Sequence, residues 1–316
     1  MKIVYVTGCL GFIGSYVVRR CLENEWMVYG IDKCTYAAKL DLLDEFSRSP
    51  NFKFQKEDIK DLEHLYDCDY IINTAAESHV ANSIISSDRF LETNILGTKN
   101  LLELARNKQK NVGKRPVFFH FSTDEVYGDI VNGSHTEQDL LKPSNPYSAS
   151  KAAADMLVLA WARTYDLDYV ILRPANNYGI GQYPEKLIPL TVKNLNRGRK
   201  TCLHNNGEPY RCWLHADDTA RAVVTIIESG ATNEIYNISG HEEQKNIVTV
   251  QTIIQSYGHN TQDIDQYVEL SYSRQGQDVR YSVDDSKLQS LGWAPEKRFN
   301  DEIDDIVTHY KNNFIW

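Results

Sequence analysis

Along the first half of the chain, short apolar runs alternate with longer segments whose apolar positions recur at helical spacing. The runs are Ile3 to Val6, Met27 to Ile31, Phe52 to Phe54, Tyr70 to Ile72, Val117 to Phe121 and Tyr169 to Leu172. Most are nearly continuous in apolar residues, as strands buried on both faces of a parallel sheet are. Between the first two, Ile13, Val17, Val18, Cys21 and Leu22 fall on one helical face. Two further helices are predicted, one over about Asp88 to Asn107 and one from Pro146 to about Tyr165. Strand–helix alternation with right-handed crossovers predicts an α/β, doubly wound parallel sheet. Beyond Gly179 the alternation stops, and polar clusters such as His204 to Gly207 and Ser271 to Asp278 interrupt short elements. The pattern divides the chain into residues 1–178 and a smaller, mixed α/β lobe over 179–316, with some chain crossing back.

Composition narrows the function classes. The 316 residues are 42% hydrophobic and 24% charged, which suits a folded core. Asp and Glu number 43 against 34 Lys and Arg, a net charge of −9. Nucleic acid, which selects a basic face, is a poor partner for such a chain. No apolar run has the ~20 residues a membrane span needs, and Lys2 runs straight into the first strand with no leader pattern. The six cysteines show no C-x-x-C pair, so neither a zinc site nor a redox dithiol is expected. Unbridged, scattered cysteines point to the reducing cytoplasm.

The first strand leads into Thr7-Gly8-Cys9-Leu10-Gly11-Phe12-Ile13-Gly14, a G-x-x-G-x-x-G turn. Glycines allow a tight turn and close backbone approach to a pyrophosphate, and the helix that follows aims its N–H groups at the negative charge. Alone, the triplet is equally a tight strand-to-helix turn. Asp32 ends the second strand, where an acid binds an adenosine ribose 2′-OH. The combination predicts a Rossmann-like site, and a carboxylate that repels a 2′-phosphate favours NAD over NADP. Lys33 beside it weakens that repulsion.

Tyr147 and Lys151 lie four apart at a helix start, on one face. A nearby ammonium favours the phenolate, so the tyrosine could serve as a base. Thr123 ends a strand, and in open α/β sheets ligands bind at the carboxyl ends of strands. Asp124 and Glu125 follow it. Two adjacent carboxyl groups can be a solvated turn, or an acid and a base whose environments separate their pKa values.

The chain resembles the nucleotide-sugar 4,6-dehydratases, a branch of the extended short-chain dehydrogenase/reductase family. The resemblance rests on Gly8 to Ser15, Asp32 to Ala37, Ala75 to Val80, Glu92-Thr93-Asn94, Ser122 to Gly128, Tyr147 to Lys151, Asn176 to Gly179 and Pro184 to Pro189. Tyr236-Asn237-Ile238, Lys245-Asn246 and Leu291-Gly292-Trp293 extend it over nearly the whole chain. It implies a redox-neutral dehydration of a nucleoside-diphosphate glucose, dTDP- or UDP-linked. Tyr147 would take the 4-OH proton while NAD oxidises C4, with Thr123 on the 4-oxygen. Glu125 would then remove the C5 proton, Asp124 would protonate the leaving 6-OH, and reduction at C6 would regenerate NAD. Lys151 would also hold the nicotinamide ribose. By the same resemblance Gly8, Gly11, Phe12, Ile13, Gly14, Asp32, Lys33, Thr35, Asp58, Ile59, Ala75, Ala76, Asn94 and Asn176 would line the cofactor.

For the substrate, the resemblance implies Ser78, Asn177, Glu185, Lys186, Arg211, Asn246 and Arg274, the cations meeting the diphosphate. Ser273-Arg274-Gln275-Gly276-Gln277-Asp278 departs from the family's D-R-P-G-H-D, and Ala81-Asn82 from its usual acidic–basic pair. A sugar-nucleotide 4-epimerase or a UDP-glucuronate decarboxylase would also need NAD, Tyr147 and Lys151, but not the Asp124–Glu125 pair. A non-catalytic NAD-binding regulator would need none of the catalytic residues, all of which are present. Family resemblance and the apolar Met156, Leu157, Leu159, Ala160 and Trp161 together predict a homodimer through the two long helices.

Overall fold

The computed structural model describes residues 1–112, 115–270, 276 and 278–313. Its strands are β1 Ile3–Thr7, β2 Met27–Asp32, β3 Phe52–Lys56, β4 Tyr70–Asn73, β5 Val117–Phe121, β6 Tyr169–Pro174, β7 Asn176–Tyr178, β8 Thr201–Leu203, β9 Tyr210–His215, β10 Glu234–Ile238, β11 Glu242–Lys245 and β12 Val268–Leu270. Seven of them form one parallel sheet in the order β10-β6-β5-β4-β1-β2-β3. This is the doubly wound, Rossmann-like order, and the strand sequence reverses at β1, where β2 pairs on one side and β4 on the other. The carboxyl ends of β1 and β4 therefore open a crevice, and the Thr7 hydroxyl donates to Asn73 Oδ1 across it at 2.7 Å.

Both faces of the sheet are covered, which is why its strands are apolar throughout. On one face the helix Phe12–Glu23 packs against Ala216–Ser229, joining Val17, Val18 and Cys21 to Ala220, Val223 and Ile226. On the other, Leu101, Leu102, Ala105 and Val158 cover Tyr5, Ile71 and Phe118. The predicted helix over Asp88 to Asn107 runs further, to Val112, and Leu91–Gly97 within it is a π turn. A wider turn of this kind is a frequent feature of functional sites.

Residues after Gly179 build a second core around Ile188, Trp213, Ile253, Phe299 and Ile306. Two small sheets serve it, β11-β9-β7 and β12-β8. β10 returns to the edge of the large sheet and pairs with β6. Among the described residues, no helix is long and apolar enough to cross a membrane.

One buried ion pair ties the sheet to the helix Pro146–Tyr165. Arg173 on β6 is 2% exposed, and its Nε and Nη2 both lie 3.0 Å from Asp155 Oδ2. Its Nη1 donates to the Tyr127 hydroxyl at 2.7 Å, which in turn donates to Asn237 Oδ1 on β10 at 2.8 Å. Removing one partner of a buried pair strands the other charge, at a cost of about 3–5 kcal/mol. Arg173→Met should therefore lower the unfolding free energy by that amount in urea titration. Tyr127→Phe, which removes one neutral hydroxyl, should cost about 1 kcal/mol.

Candidate active site

β1 ends in the glycine turn. Gly8 has φ +66°, and a Cβ there would lie 2.8 Å from Ala75 Cα. On Gly14 a Cβ would come 2.1 Å from the Gly8 carbonyl oxygen. Neither position admits a side chain, so the helix Phe12–Glu23 starts hard against the sheet, and Gly11, Phe12, Ile13 and Gly14 line the cleft. Asp32 closes β2 on the same cleft. Its carboxylate accepts from Leu10 N at 3.0 Å and Cys34 N at 2.7 Å. Burial raises its pKa, and those two N–H groups restrain the rise.

Lys33 is turned away from Asp32: its Nζ donates to Thr93 Oγ1 at 3.1 Å and pairs with Asp58 at 3.4 Å. Thr35, Asp58, Ile59, Ala75, Ala76 and Asn176 complete this wall. Asn176 Oδ1 is buried without a hydrogen-bond partner. A cradle cleared of Cβ atoms, an anchored carboxylate and an orphaned acceptor fit a dinucleotide. Asn94 does not line the cleft. From the π turn it accepts from Glu77 N at 2.9 Å and donates to Glu77 O at 3.0 Å and Ser150 Oγ at 2.9 Å, bracing that wall against the helix Pro146–Tyr165.

The chemical groups gather where β5 ends. Thr123 starts a short 3₁₀ turn, Asp124–Tyr127, accepting from Glu125 N at 3.3 Å and donating to Asp124 Oδ1 at 3.1 Å. Asp124 Oδ2 has no partner. Asn145 caps the next helix through Ser148 N at 2.9 Å, and Pro146 occupies its first turn. This start places Tyr147 and Lys151 on the cleft with Thr123, Asp124 and Glu125.

Burial dominates the electrostatics of all four ionisable groups. It raises the Asp124 carboxyl to about 7, assisted by the neighbouring Glu125 charge and opposed by the Thr123 hydroxyl and Arg211. Glu125 is also raised by burial, but Arg211, Lys186 and the Asn145 amide pull it back. The two carboxyl groups thus have different surroundings, one short of cations and one flanked by two. Lys151 is lowered by burial to about 8, with Asp155 resisting. The Tyr147 phenol is pushed above its ordinary value by burial and by Glu125, not lowered as the Tyr–Lys spacing suggested. Desolvation of the phenolate, with the Glu125 and Asp124 charges, outweighs the hydrogen bond to Thr123 that opposes it.

On the substrate side, Ser78, Asn177, Glu185 and Lys186 line the cleft. Lys186 Nζ donates to Ser78 O at 2.8 Å. Asn177 uses its amide on Ala175 O and the Thr219 hydroxyl, leaving one N–H. Arg211 does not itself line the cleft; it lies close enough to Glu125 to lower its pKa, with its guanidinium 4.6 Å from the centre of the Tyr281 ring. Two of its donors go to Tyr210 O and Asp278 O. Asn246 begins the helix Asn246–Tyr257, away from the cleft lining, with Oδ1 buried and unpartnered. Arg274 lies outside the described residues.

Sequence reasoning passed over Asp155, Asn145, Asp278 and Tyr281. Asp155 was findable, because Tyr147, Lys151 and Asp155 repeat at four-residue spacing on one helical face. Asn145 was findable as the polar residue before Pro146 at the helix start. Asp278 and Tyr281 fall in stretches that bear on the family resemblance, but nothing local marks their relation to Glu125, more than a hundred residues away.

A family model described as GDP-mannose 4,6 dehydratase matches residues 5–306. An Escherichia coli dTDP-glucose 4,6-dehydratase is 41% identical over 100% of this chain and 95% of its own. The dTDP-glucose 4,6-dehydratase DesIV from Streptomyces venezuelae, solved with NAD bound, superposes with a TM-score of 0.92 at 38% identity, covering 99% of this chain and 98% of that one. A Bacillus cereus UDP-glucuronic acid 4-epimerase, also with NAD, reaches 0.90 at 25% identity, covering 99% of each chain.

The site predicts its own titration. With ¹³C-labelled aspartate, the Asp124 carboxyl should titrate near pH 7 by NMR. Glu125→Gln removes the like charge, so the midpoint should move down. A midpoint at the ordinary carboxylate value in both proteins would contradict the burial argument.

Proposed function

The chain belongs to the nucleotide-sugar 4,6-dehydratases, and on that footing we propose that it dehydrates dTDP-glucose to the 4-keto-6-deoxy sugar nucleotide with NAD. The observation that carries this reading is the Asp124–Glu125 pair, set in one cleft with Thr123, Tyr147 and Lys151. Oxidation at C4 alone, as in a 4-epimerase, has no use for a second acid and base. Elimination across C5–C6 needs both.

The glycine turn, Asp32 and the wall from Thr35 to Asn176 would hold NAD. When bound, NAD supplies a reversible two-electron acceptor whose positive ring also favours the Tyr147 phenolate. Tyr147, as phenolate stabilised by Lys151, takes the proton of the sugar 4-OH and becomes a neutral phenol. The new 4-keto group acidifies C5–H. Glu125, flanked by Arg211 and Lys186, holds the ionised form and removes that proton. Asp124, raised to about 7, keeps a proton near neutrality and gives it to the leaving 6-OH through its unpartnered Oδ2. Lys186 meets the diphosphate from the cleft lining, Arg211 is proposed for it on sequence grounds, and residues 179–316 serve mostly as the substrate lobe. Arg274 is proposed for the nucleotide on sequence grounds alone. The unbridged cysteines suit a cytoplasmic enzyme.

Turnover with dTDP-glucose should exceed that with UDP-, GDP- and CDP-glucose when the four are assayed side by side. Asp124→Asn with Glu125→Gln should still reduce bound NAD on adding substrate, while releasing product ~10²-fold or more slowly. Wild-type product release by that double variant would remove the assignment.

We further propose a homodimer through the two long helices. Part of the predicted apolar face is covered within the chain, since Trp161 Nε1 donates to Glu103 Oε1 at 2.8 Å. Leu91, Leu96 and Met156 remain 43%, 50% and 48% exposed on these neighbouring helices. Light scattering at micromolar concentration should report about twice the 36.2 kDa chain mass. A fully active monomer across dilution would exclude the pairing.

A further inference from the structure

Next to Glu125, among residues that do not themselves line the cleft, lies a chain of hydroxyl and carboxyl groups that the dehydration scheme does not use. Glu125 Oε2 is 3.4 Å from the Tyr281 hydroxyl. That hydroxyl makes a short hydrogen bond to Asp278 Oδ2. The same Asp278 oxygen receives another short hydrogen bond from Ser144 Oγ. Tyr281 is 3% and Asp278 6% exposed, whereas Ser144 is exposed to solvent. The four groups thus lead from a catalytic carboxylate through the protein interior to the surface, and none of the outer three lines the cleft.

The local electrostatics fit conduction rather than charge storage. Burial and the two flanking carboxylates raise the Tyr281 phenol far above its ordinary value, so it does not rest as phenolate. The phenol has one proton to donate, with Asp278 at the short contact and Glu125 at 3.4 Å, so that when Glu125 is protonated the phenol donates to Asp278 and offers Glu125 a lone pair. It can accept from one side as it donates to the other. Arg211, stacked on its ring, holds the phenol in register.

We propose that Tyr281 and Asp278 form a proton relay that exchanges the C5 proton captured by Glu125 with solvent at Ser144. The inference rests on the reading of Glu125 as the C5 base. Proton bookkeeping closes without any outside reagent. Protonated Glu125 gives its proton to the Tyr281 oxygen as the Tyr281 proton passes to Asp278, so the phenol ends neutral, Glu125 is again a carboxylate and Asp278 is a carboxylic acid. Asp278 exchanges that proton with water by way of the Ser144 hydroxyl. The reverse passage reloads Glu125 with a solvent proton, which is then delivered to C5. With substrate filling the cleft, the relay connects Glu125 to water at Ser144.

The experiment uses dTDP-glucose deuterated at C5, in ordinary water, with product trapped by borohydride before the ketone can exchange on its own. Mass analysis reads the fraction of deuterium retained at C5 per product formed, a ratio that a general loss of activity does not move. Wild-type product should have lost most of the label. Tyr281→Phe, which keeps the buried ring and the Arg211 stack, should retain several-fold more, and so should Asp278→Asn. If Tyr281→Phe fails to fold, the comparison is read on Asp278→Asn. Retention equal to wild type in the folded variant overturns the relay, as does a wild-type product that keeps its deuterium. Failure of the wild-type enzyme to dehydrate the sugar would remove the functional reading and the relay with it, whereas unchanged label in an active enzyme removes the relay alone.

Discussion

Everything at this site depends on removing water from charge. Asp124, Glu125, Tyr147 and Lys151 sit at the end of a sheet buried on both faces, and burial is the leading influence on each of their pKa values. Such groups are costly to bury unless partners meet them. The protein supplies those partners unevenly. Glu125 has Arg211 and Lys186, while Asp124 has an unpartnered oxygen and a like charge beside it. That unevenness gives two adjacent carboxyl groups the different surroundings that the proposed acid and base require. Further in, Asp155 is shared between Arg173 and the field of Lys151, so the ion pair that fixes the helix also sets the charge near its active face.

The two cores are coupled through short, inextensible connections. β6 ends at Pro174 and β7 begins at Asn176, so one residue, Ala175, separates the large sheet from the small one. Ala175 N donates to Ile238 O on β10, tying the outgoing strand to the returning one. Just past β10, a Cβ on Gly240 would lie 1.8 Å from Trp213 O, so the returning chain grazes the backbone of β9. Asn176 and Asn177 therefore stand on a junction with little freedom to hinge. One residue thus joins the sheet that carries Thr123 to the strand that carries Asn176 and Asn177.

Legibility from sequence followed the range of the interaction. The sheet was readable because each strand declares its own burial, and the glycine turn because its requirements are met within eight residues. Tyr147 and Lys151 were readable through one helical turn. The direction of the Tyr147 shift was not, because it depends on how much water the assembled cleft excludes. Asn94 looked like a ligand-facing residue from its motif, yet its amide is consumed by Glu77 and Ser150. The role of Tyr281 and Asp278 was not readable, because their relation to Glu125 exists only after the second lobe has packed.

The π turn at Leu91–Gly97 carries an arithmetic of its own. A helix advances about 100° per residue, and a π turn absorbs one residue more than the α ladder around it would. Deleting a single residue there would restore a regular ladder but rotate everything upstream by about that angle. Upstream lies Phe90, whose ring sits edge-on to Tyr147 with centroids 6.4 Å apart. The bulge thus acts as a phase-setting insertion. It lets the outer stretch of the helix keep Phe90 aimed at the phenol while the inner stretch keeps Leu101, Leu102 and Ala105 in the core, two alignments that one unbroken α-helix of this sequence could not satisfy together.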